Sequence, residues 1–102
     1  MKETMITELV KFKVLEAITE EQLLSKAGIL HDFQKKQDGY MDGELVKNVG
    51  ENEWCLIYHY ESQEKVKAIG ERMRNSKVFD EFMPLTVPGS VSVTLYHQLK
   101  KW

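Results

Sequence analysis

The chain has only one cysteine and two prolines among its 102 residues. A single thiol, Cys55, cannot form an internal disulfide, which argues against a small secreted scaffold held together by cross-links. No apolar run is long enough to span a bilayer, and the first residues do not resemble a signal peptide. The formal net charge of −2 gives no electrostatic reason to propose nucleic acid or an anionic membrane as a partner. We therefore expect a cytoplasmic protein with neither nucleic acid nor a membrane among its partners.

The chain does contain six patterned segments. Hydrophobic residues make up 42% of it, which is enough for a modest core in one domain. Four segments alternate apolar and polar residues as strands do, and two repeat at helical spacing. In chain order they are residues 5–15 (strand), 19–36 (helix), 40–48 (strand), 54–60 (strand), 62–82 (helix) and 90–99 (strand). This β-α-β-β-α-β order predicts one ferredoxin-like α+β domain over residues 1–102, with a four-stranded antiparallel sheet and both helices on one face.

The helix boundaries carry their own signals. Thr19 and Gln22 stand at the spacing of a capping box, which predicts the start of the first helix. Ser62 is a candidate cap for the second helix. Asn75 and Ser76 interrupt that helix, and residues 78–83 then form a short amphipathic turn before a proline.

Alternate residues divide the first, third and fourth predicted strands into two faces. The more apolar set of each, with Val10, Leu56 and Val93 among its members, is expected to pack against the helices. The opposite set mixes apolar side chains with lysines and hydroxyls, which is too apolar for a freely solvated surface. Such a face usually meets another protein, so we predict a homodimer that packs sheet against sheet. The apolar members of this outer face are Leu9, Cys55, Ile57 and Tyr96.

Three stretches of the sequence are residues 38–45 (DGYMDGEL), 56–62 (LIYHYES) and 75–79 (NSKVF). Together they resemble the antibiotic-biosynthesis-monooxygenase-like domain of the dimeric α+β barrel superfamily. Residues 38–45 (DGYMDGEL) are similar to the glycine-aromatic opening of its second strand. Residues 56–62 (LIYHYES) are similar to its strand that ends in an aromatic, an acidic residue and a capping serine, and residues 75–79 (NSKVF) resemble its Ser-x-x-Phe segment. The resemblance implies a homodimer whose two sheets close into a barrel, with a ligand cavity in each subunit between sheet and helices.

The same resemblance implies a range of activities. Family members include cofactor-independent oxygenases of phenolic or polycyclic substrates, haem-degrading oxygenases and proteins of unestablished activity. The haem-ligating histidine of the haem-degrading branch corresponds most nearly to Met83, its pocket tryptophan to Tyr60, and its strand-one asparagine to Glu8 or Leu9. These departures argue against haem, so we expect a small-molecule monooxygenase that needs no cofactor. The alternative is a non-catalytic dimeric ligand-binding or stress-response protein.

Glu8 and His97 are the two ionisable residues on the helix-facing side of the predicted sheet. The ferredoxin-like order makes strands one and four antiparallel neighbours, so the two side chains should lie near each other. A buried carboxylate near an imidazole can set a general base near neutral pH, and cofactor-free oxygenation needs a base to form the anion that reacts with dioxygen. We predict His97 as the base and Glu8 as the group that orients or charges it. The alternative is that both lie at a frayed strand end with their polar tips in water.

Aromatic residues on the same face are candidates for a substrate-binding wall: Phe12, Trp54, Tyr58 and Tyr60. Aromatics line many small-molecule pockets, but they are also common core residues in strands. Two tyrosines on one face favour a cavity, because each hydroxyl needs a partner or water. His31, at the margin of the first helix's apolar stripe, is either a further ligand contact or an ordinary boundary residue. The three histidines lack a metal-binding spacing, so we predict no metal site.

Overall fold

A computed structural model describes residues 4–102 of the chain. In chain order it contains strand β1 (Ile6–Phe12), helix α1 (Glu20–Gln34), strands β2 (Tyr40–Lys47) and β3 (Trp54–Tyr60), helices α2 (Gln63–Arg74) and α3 (Lys77–Phe82), a 3-10 turn (Met83–Leu85) and strand β4 (Ser92–His97). This order confirms the predicted ferredoxin-like α+β fold with a four-stranded antiparallel sheet. In the part of the chain that is described, no helix is long and apolar enough to cross a bilayer.

The sheet has the strand order β2-β3-β1-β4, and every neighbouring pair is antiparallel. Glu8 of the central strand β1 therefore lies opposite Tyr58 of β3 on one side and Leu95 of β4 on the other. Directly paired residues point to the same face of a sheet. These three side chains share the face on which the helices pack, since Tyr58 belongs to the same buried cluster as Leu23 of α1 and Ile69 of α2.

Hydroxyl side chains cap all three helices. Thr19 Oγ1 accepts from the Gln22 N–H at 3.1 Å, and Gln22 Oε1 accepts from the Thr19 N–H at 2.8 Å, which confirms the predicted capping box. Ser62 caps α2 and Ser76 caps α3 in the same way. The chain leaves α2 at Asn75, so the predicted second helix is two shorter helices that meet at the predicted interruption.

β1 ends at Phe12, three residues before its predicted limit. Val14 forms an isolated bridge with Thr86 instead of extending the ladder to β3. The Asn52 side chain supplies the missing partner, because its Oδ1 accepts from the Val14 N–H at 3.2 Å and its Nδ2 donates to the Val14 carbonyl at 2.8 Å. A side-chain amide thus satisfies the backbone where the chain leaves the sheet.

β4 differs most from the pattern-based prediction. The alternation predicts that its apolar residues pack against the helices, yet Val93 is 58% exposed and Leu95 is 41% exposed. The matching face of β1 and β3 is buried, with Phe12, Leu56 and Tyr58 in the core. β4 is an edge strand that pairs with β1, and the core of the domain is centred on β1 and β3. The apolar side of β4 therefore extends past the helices into solvent.

Candidate functional site

A cavity of about 250 Å³ lies between the sheet and the helices. Its walls come from the inner face of β1 and β3, from α1, α2 and α3, and from the start of β4. Glu8 and Arg74 are its charged lining residues, and Gln34, Tyr58 and Tyr60 are its uncharged polar ones. The rest of the lining is apolar. An apolar cavity with a small number of convergent polar groups is typical of small-molecule binding sites.

Glu8 is a half-buried carboxylate in this setting. Its Oε1 accepts a hydrogen bond from the Tyr60 hydroxyl at 3.3 Å. Burial raises the pKa of the Glu8 carboxyl above its ordinary value, and the hydrogen bond from Tyr60 lowers the pKa by a smaller amount. A carboxylate whose pKa is raised by desolvation is a stronger base than an exposed one, which suits proton abstraction near neutral pH.

Gln34 extends this polar chain, and, like Arg74, it is a polar lining residue that the sequence pattern did not predict. Its Nε2 donates to the Tyr60 hydroxyl at 2.9 Å, so hydrogen bonds run from Gln34 through Tyr60 to Glu8. A signal for it does exist in the sequence. The buried residues of α1 are Leu23, Ala27, Leu30 and Gln34. Because Gln34 continues an apolar stripe at helical spacing, its amide must be buried and must find a specific partner.

Two polar atoms beside this chain lack a protein partner. Within residues 4–102, no group meets hydrogen-bonding geometry with Gln34 Oε1 or with the Tyr58 hydroxyl. Burial strongly raises the pKa of Tyr58, with Tyr40 and Glu8 adding to the shift and the nearby Gln34 amide opposing it. Tyr58 therefore stays protonated at neutral pH and keeps its O–H free to donate. Buried polar atoms are nearly always hydrogen-bonded, so both atoms are available to a molecule in the cavity.

Three tyrosines pack edge to face along this side of the sheet. The ring centroids of Tyr40 and Tyr60 lie 5.7 Å apart, and those of Tyr58 and Tyr60 lie 6.2 Å apart. Gly43 makes room for them, because a Cβ atom there would lie 2.6 Å from Cδ1 of Tyr58 and against the Tyr40 hydroxyl. Burial raises the pKa of Tyr40 to about 12, and Asp42 adds to that shift. Burial raises the pKa of Tyr60 further, so these phenols are hydrogen-bond donors at neutral pH.

The cavity brings together some of the predicted site residues and leaves out others. Those that line it are Glu8, Phe12, Tyr58 and Tyr60. Trp54 is buried at the opposite end of β3 from Tyr60, where the Lys47 Nζ lies 5.0 Å from its ring centroid. Trp54 is not among the residues that line the cavity, although Phe12, its partner in the β1–β3 ladder, is. His31 is exposed on α1, with its Nδ1 3.1 Å from the Tyr40 hydroxyl, and lies outside the cavity lining.

Glu8 is hydrogen-bonded to Tyr60 and not to the predicted partner, His97, as far as the described residues show. The strand register pairs His97 with Ile6, two positions along β1 from Glu8. His97 is exposed at the end of the edge strand and is not among the residues that line the cavity. A molecule in the cavity therefore meets Glu8 directly, whereas His97 stands outside.

No family model matches the sequence, and no curated protein matches it. Solved structures are similar to it. SnoaB, a cofactor-independent oxygenase from Streptomyces nogalater, has a TM-score of 0.75 at 13% identity over 96% of each chain. A proposed antibiotic biosynthesis monooxygenase from Nitrosomonas europaea has a TM-score of 0.75 at 13% identity, over 97% of this chain and 94% of that one. Rv0793 from Mycobacterium tuberculosis has a TM-score of 0.73 at 15% identity, over 96% of this chain and 98% of that one.

These neighbours confirm the resemblance stated from the residues at the level of the fold. The chain shares its fold with these three solved structures. At identities of 13–15%, the similarity to these proteins extends to the fold and not to the side chains of the site. The chemistry of this cavity must therefore be argued from its own residues.

Proposed function

We propose that the protein is a cofactor-independent monooxygenase that oxidises a phenolic or polycyclic aromatic substrate in the cavity, with Glu8 as the general base. The observation that carries this proposal is the half-buried Glu8 carboxylate, which has a raised pKa, a hydrogen bond from Tyr60 and a place in a largely apolar cavity lining. The fold shared with SnoaB, itself a cofactor-independent oxygenase, supports the reaction class.

The proposed chemistry needs a proton acceptor and dioxygen. Glu8 takes the phenol O–H proton and leaves an electron-rich phenolate. The phenolate gives one electron to dioxygen, and the two radicals combine to form a ring C–O bond to a peroxide, whose outer oxygen takes the proton back from Glu8. Glu8 then removes the ring C–H proton, the O–O bond breaks, and a quinone carbonyl forms while the released hydroxide takes that proton and leaves as water. One phenol and one dioxygen are consumed for each quinone and water.

The surroundings of Glu8 suit this role. The Tyr60 hydroxyl holds one oxygen of the Glu8 carboxylate in place. The other carboxylate oxygen accepts no hydrogen bond from the described residues. An apolar lining keeps water from the phenolate and so preserves its reactivity towards dioxygen. Arg74 adds a positive charge to the lining, which favours the anionic states of the reaction.

We further propose that the active form is a homodimer that packs the outer sheet faces together. Leu9, Cys55 and Ile57 are half-buried in the single chain, and Tyr96 is exposed beside them. This stretch of half-covered apolar surface lies on the face of the sheet opposite the helices, where a second copy would cover it by an isologous contact.

Oxygen uptake with a panel of phenols tests the oxygenase. Glu8→Gln should lower turnover about a hundredfold or more, because a positioned general base contributes on that order. Glu61→Gln is the matched control, since Glu61 is exposed and outside the cavity lining. His97→Ala tests the base predicted from the sequence. Turnover that falls in His97→Ala and persists in Glu8→Gln would move the base to His97, and near-wild-type rates in both variants would contradict either assignment.

A ligand-binding protein without turnover is the second candidate function. The observation that favours it is the pair of unpartnered buried atoms, Gln34 Oε1 and the Tyr58 hydroxyl, which a bound molecule would pair without any chemistry. Binding of phenols without oxygen uptake would indicate this function.

A further inference from the structure

We infer that Gln34 Oε1 and the Tyr58 hydroxyl form a hydroxyl-binding subsite that selects one- or two-ring phenols. The inference deepens the proposed function by naming its substrate class and the residues that select it. It concerns binding, however, and it stands whether or not the bound phenol is oxidised.

The two atoms are a complementary pair inside an apolar wall. Gln34 is 3% exposed and Tyr58 is 4% exposed, so neither side chain reaches bulk solvent. Gln34 Oε1 can only accept a hydrogen bond, and the protonated Tyr58 hydroxyl can donate one. A ligand hydroxyl satisfies both atoms at once, since its O–H donates to Gln34 while its oxygen accepts from Tyr58. An ether or a plain hydrocarbon leaves the Gln34 acceptor unpaired.

The orientation of the Gln34 amide follows from the chain that ends at Glu8. An ionised Glu8 accepts the Tyr60 O–H, so the Tyr60 oxygen is left to accept from Gln34. That requirement turns Nε2 towards Tyr60 at 2.9 Å and leaves Oε1 as the free end of the amide. The protonation state of Glu8 therefore determines which atom of the Gln34 amide is available to hydrogen-bond with the ligand.

The volume limits the size of the ligand. The cavity measures about 250 Å³. An engineered cavity of about 150 Å³ accommodates benzene, and pockets for drug-sized ligands run from about 300 to 1,000 Å³. One or two aromatic rings fit between these limits. A substrate of four fused rings does not fit without displacement of the core residues that line the cavity, such as Phe12 and Ile69.

Calorimetric titration under argon, where no turnover occurs, tests the subsite with 1-naphthol and 1-methoxynaphthalene as probes. Wild-type protein should bind 1-naphthol about tenfold more tightly, because the ether cannot donate to Gln34. Gln34→Leu should reduce this preference towards onefold and leave the affinity for the ether nearly unchanged. Tyr58→Phe should weaken the binding of both probes and keep the preference, because both oxygens accept from Tyr58. Gln63→Leu is the matched control, since Gln63 is exposed on α2 and should keep the tenfold preference.

Equal affinity for the two probes in wild-type protein, or a preference that survives in Gln34→Leu, overturns the subsite. So does a failure of 1-naphthol to bind at millimolar concentration. If Gln34→Leu does not fold, as judged by its circular dichroism, the Tyr58→Phe result decides, since unchanged affinity for both probes in that variant overturns the subsite. 1-Pyrenol, with four fused rings, should bind more weakly than 1-naphthol, and tighter binding overturns the size limit. A preserved naphthol preference without oxygen uptake from any phenol would support the subsite and contradict the oxygenase.

Discussion

Tyr60 and Glu8 meet on a diagonal across two neighbouring strands. Tyr60 pairs with Ile6 in the β1–β3 ladder, and its hydroxyl reaches the Glu8 carboxylate, two residues further along β1, at 3.3 Å. Diagonal neighbours in an antiparallel pair lie within reach of a long aromatic side chain. The contact couples the proton affinity of Glu8 to a residue of another strand, and Gln34 of α1 extends that coupling to the helix layer.

Tyr60→Phe should raise the pKa of Glu8 above its wild-type value. The Tyr60 hydroxyl stabilises the ionised carboxylate, whereas burial, the larger influence, disfavours it. Titration of the Glu8 carboxyl carbon by NMR measures the change. Tyr96→Phe is the control, because Tyr96 is exposed on the other face of the sheet and should leave the pKa unaltered. An unchanged or lower pKa in Tyr60→Phe would show that the hydrogen bond does not operate in solution.

Glu8→Gln should increase stability at pH 7 relative to wild type. The folded-state pKa of Glu8 is raised above its ordinary value of 4.5. The protonated carboxyl therefore favours folding below pH 4.5, and this contribution is lost as the pH rises through the folded-state pKa. Glutamine mimics the neutral form at every pH, so its advantage should shrink as the pH falls towards 4.5. Urea unfolding at several pH values measures this, with Glu61→Gln as the exposed control; a constant difference across the pH range would contradict the prediction.

Gly43→Ala should destabilise the protein by about 1–3 kcal/mol, the usual cost of overpacking. Its Cβ atom would lie 2.6 Å from the Tyr58 ring, which is itself held by the other tyrosines. Gly28→Ala is the control of opposite sign. Gly28 lies within α1 with nothing within 4 Å of a Cβ atom, so alanine there should stabilise by about 0.5–1 kcal/mol. Urea midpoints for the two variants give the comparison, and similar shifts in both would contradict the tight packing at Gly43.

Ile57→Asp should dissociate or aggregate the proposed homodimer. It places a charge at the half-buried centre of the outer sheet face, where an obligate interface of about 2,000 Å² or more is expected. Light scattering across micromolar concentrations measures the mass. Val49→Asp makes the same change at a fully exposed position of the β2–β3 connection and should leave the mass unaltered. A monomer mass for the wild-type protein would contradict the proposed homodimer.

Much of the fold and part of the site could be predicted from local patterns. The alternation of residues 54–60 matches β3 residue for residue, and its buried positions are the predicted ones. The capping residues Thr19 and Ser62 stand where their helices begin. Parity also placed Glu8, Phe12, Tyr58 and Tyr60 on the face that holds the cavity. Such features depend on residues a few positions apart, whose relations backbone geometry determines directly.

Tertiary structure decided which parts of that face are covered and which side chains meet. Strand parity gives His97 the same face as Tyr60, but the edge position of β4 leaves His97 in solvent. Trp54 shares the face but lies outside the cavity lining, while Gln34 reaches the cavity from a helix far away in the chain. Periodicity specifies the direction of a side chain relative to its own strand or helix. The register between strands and the seating of the helices determine its neighbours, and those depend on contacts between distant segments.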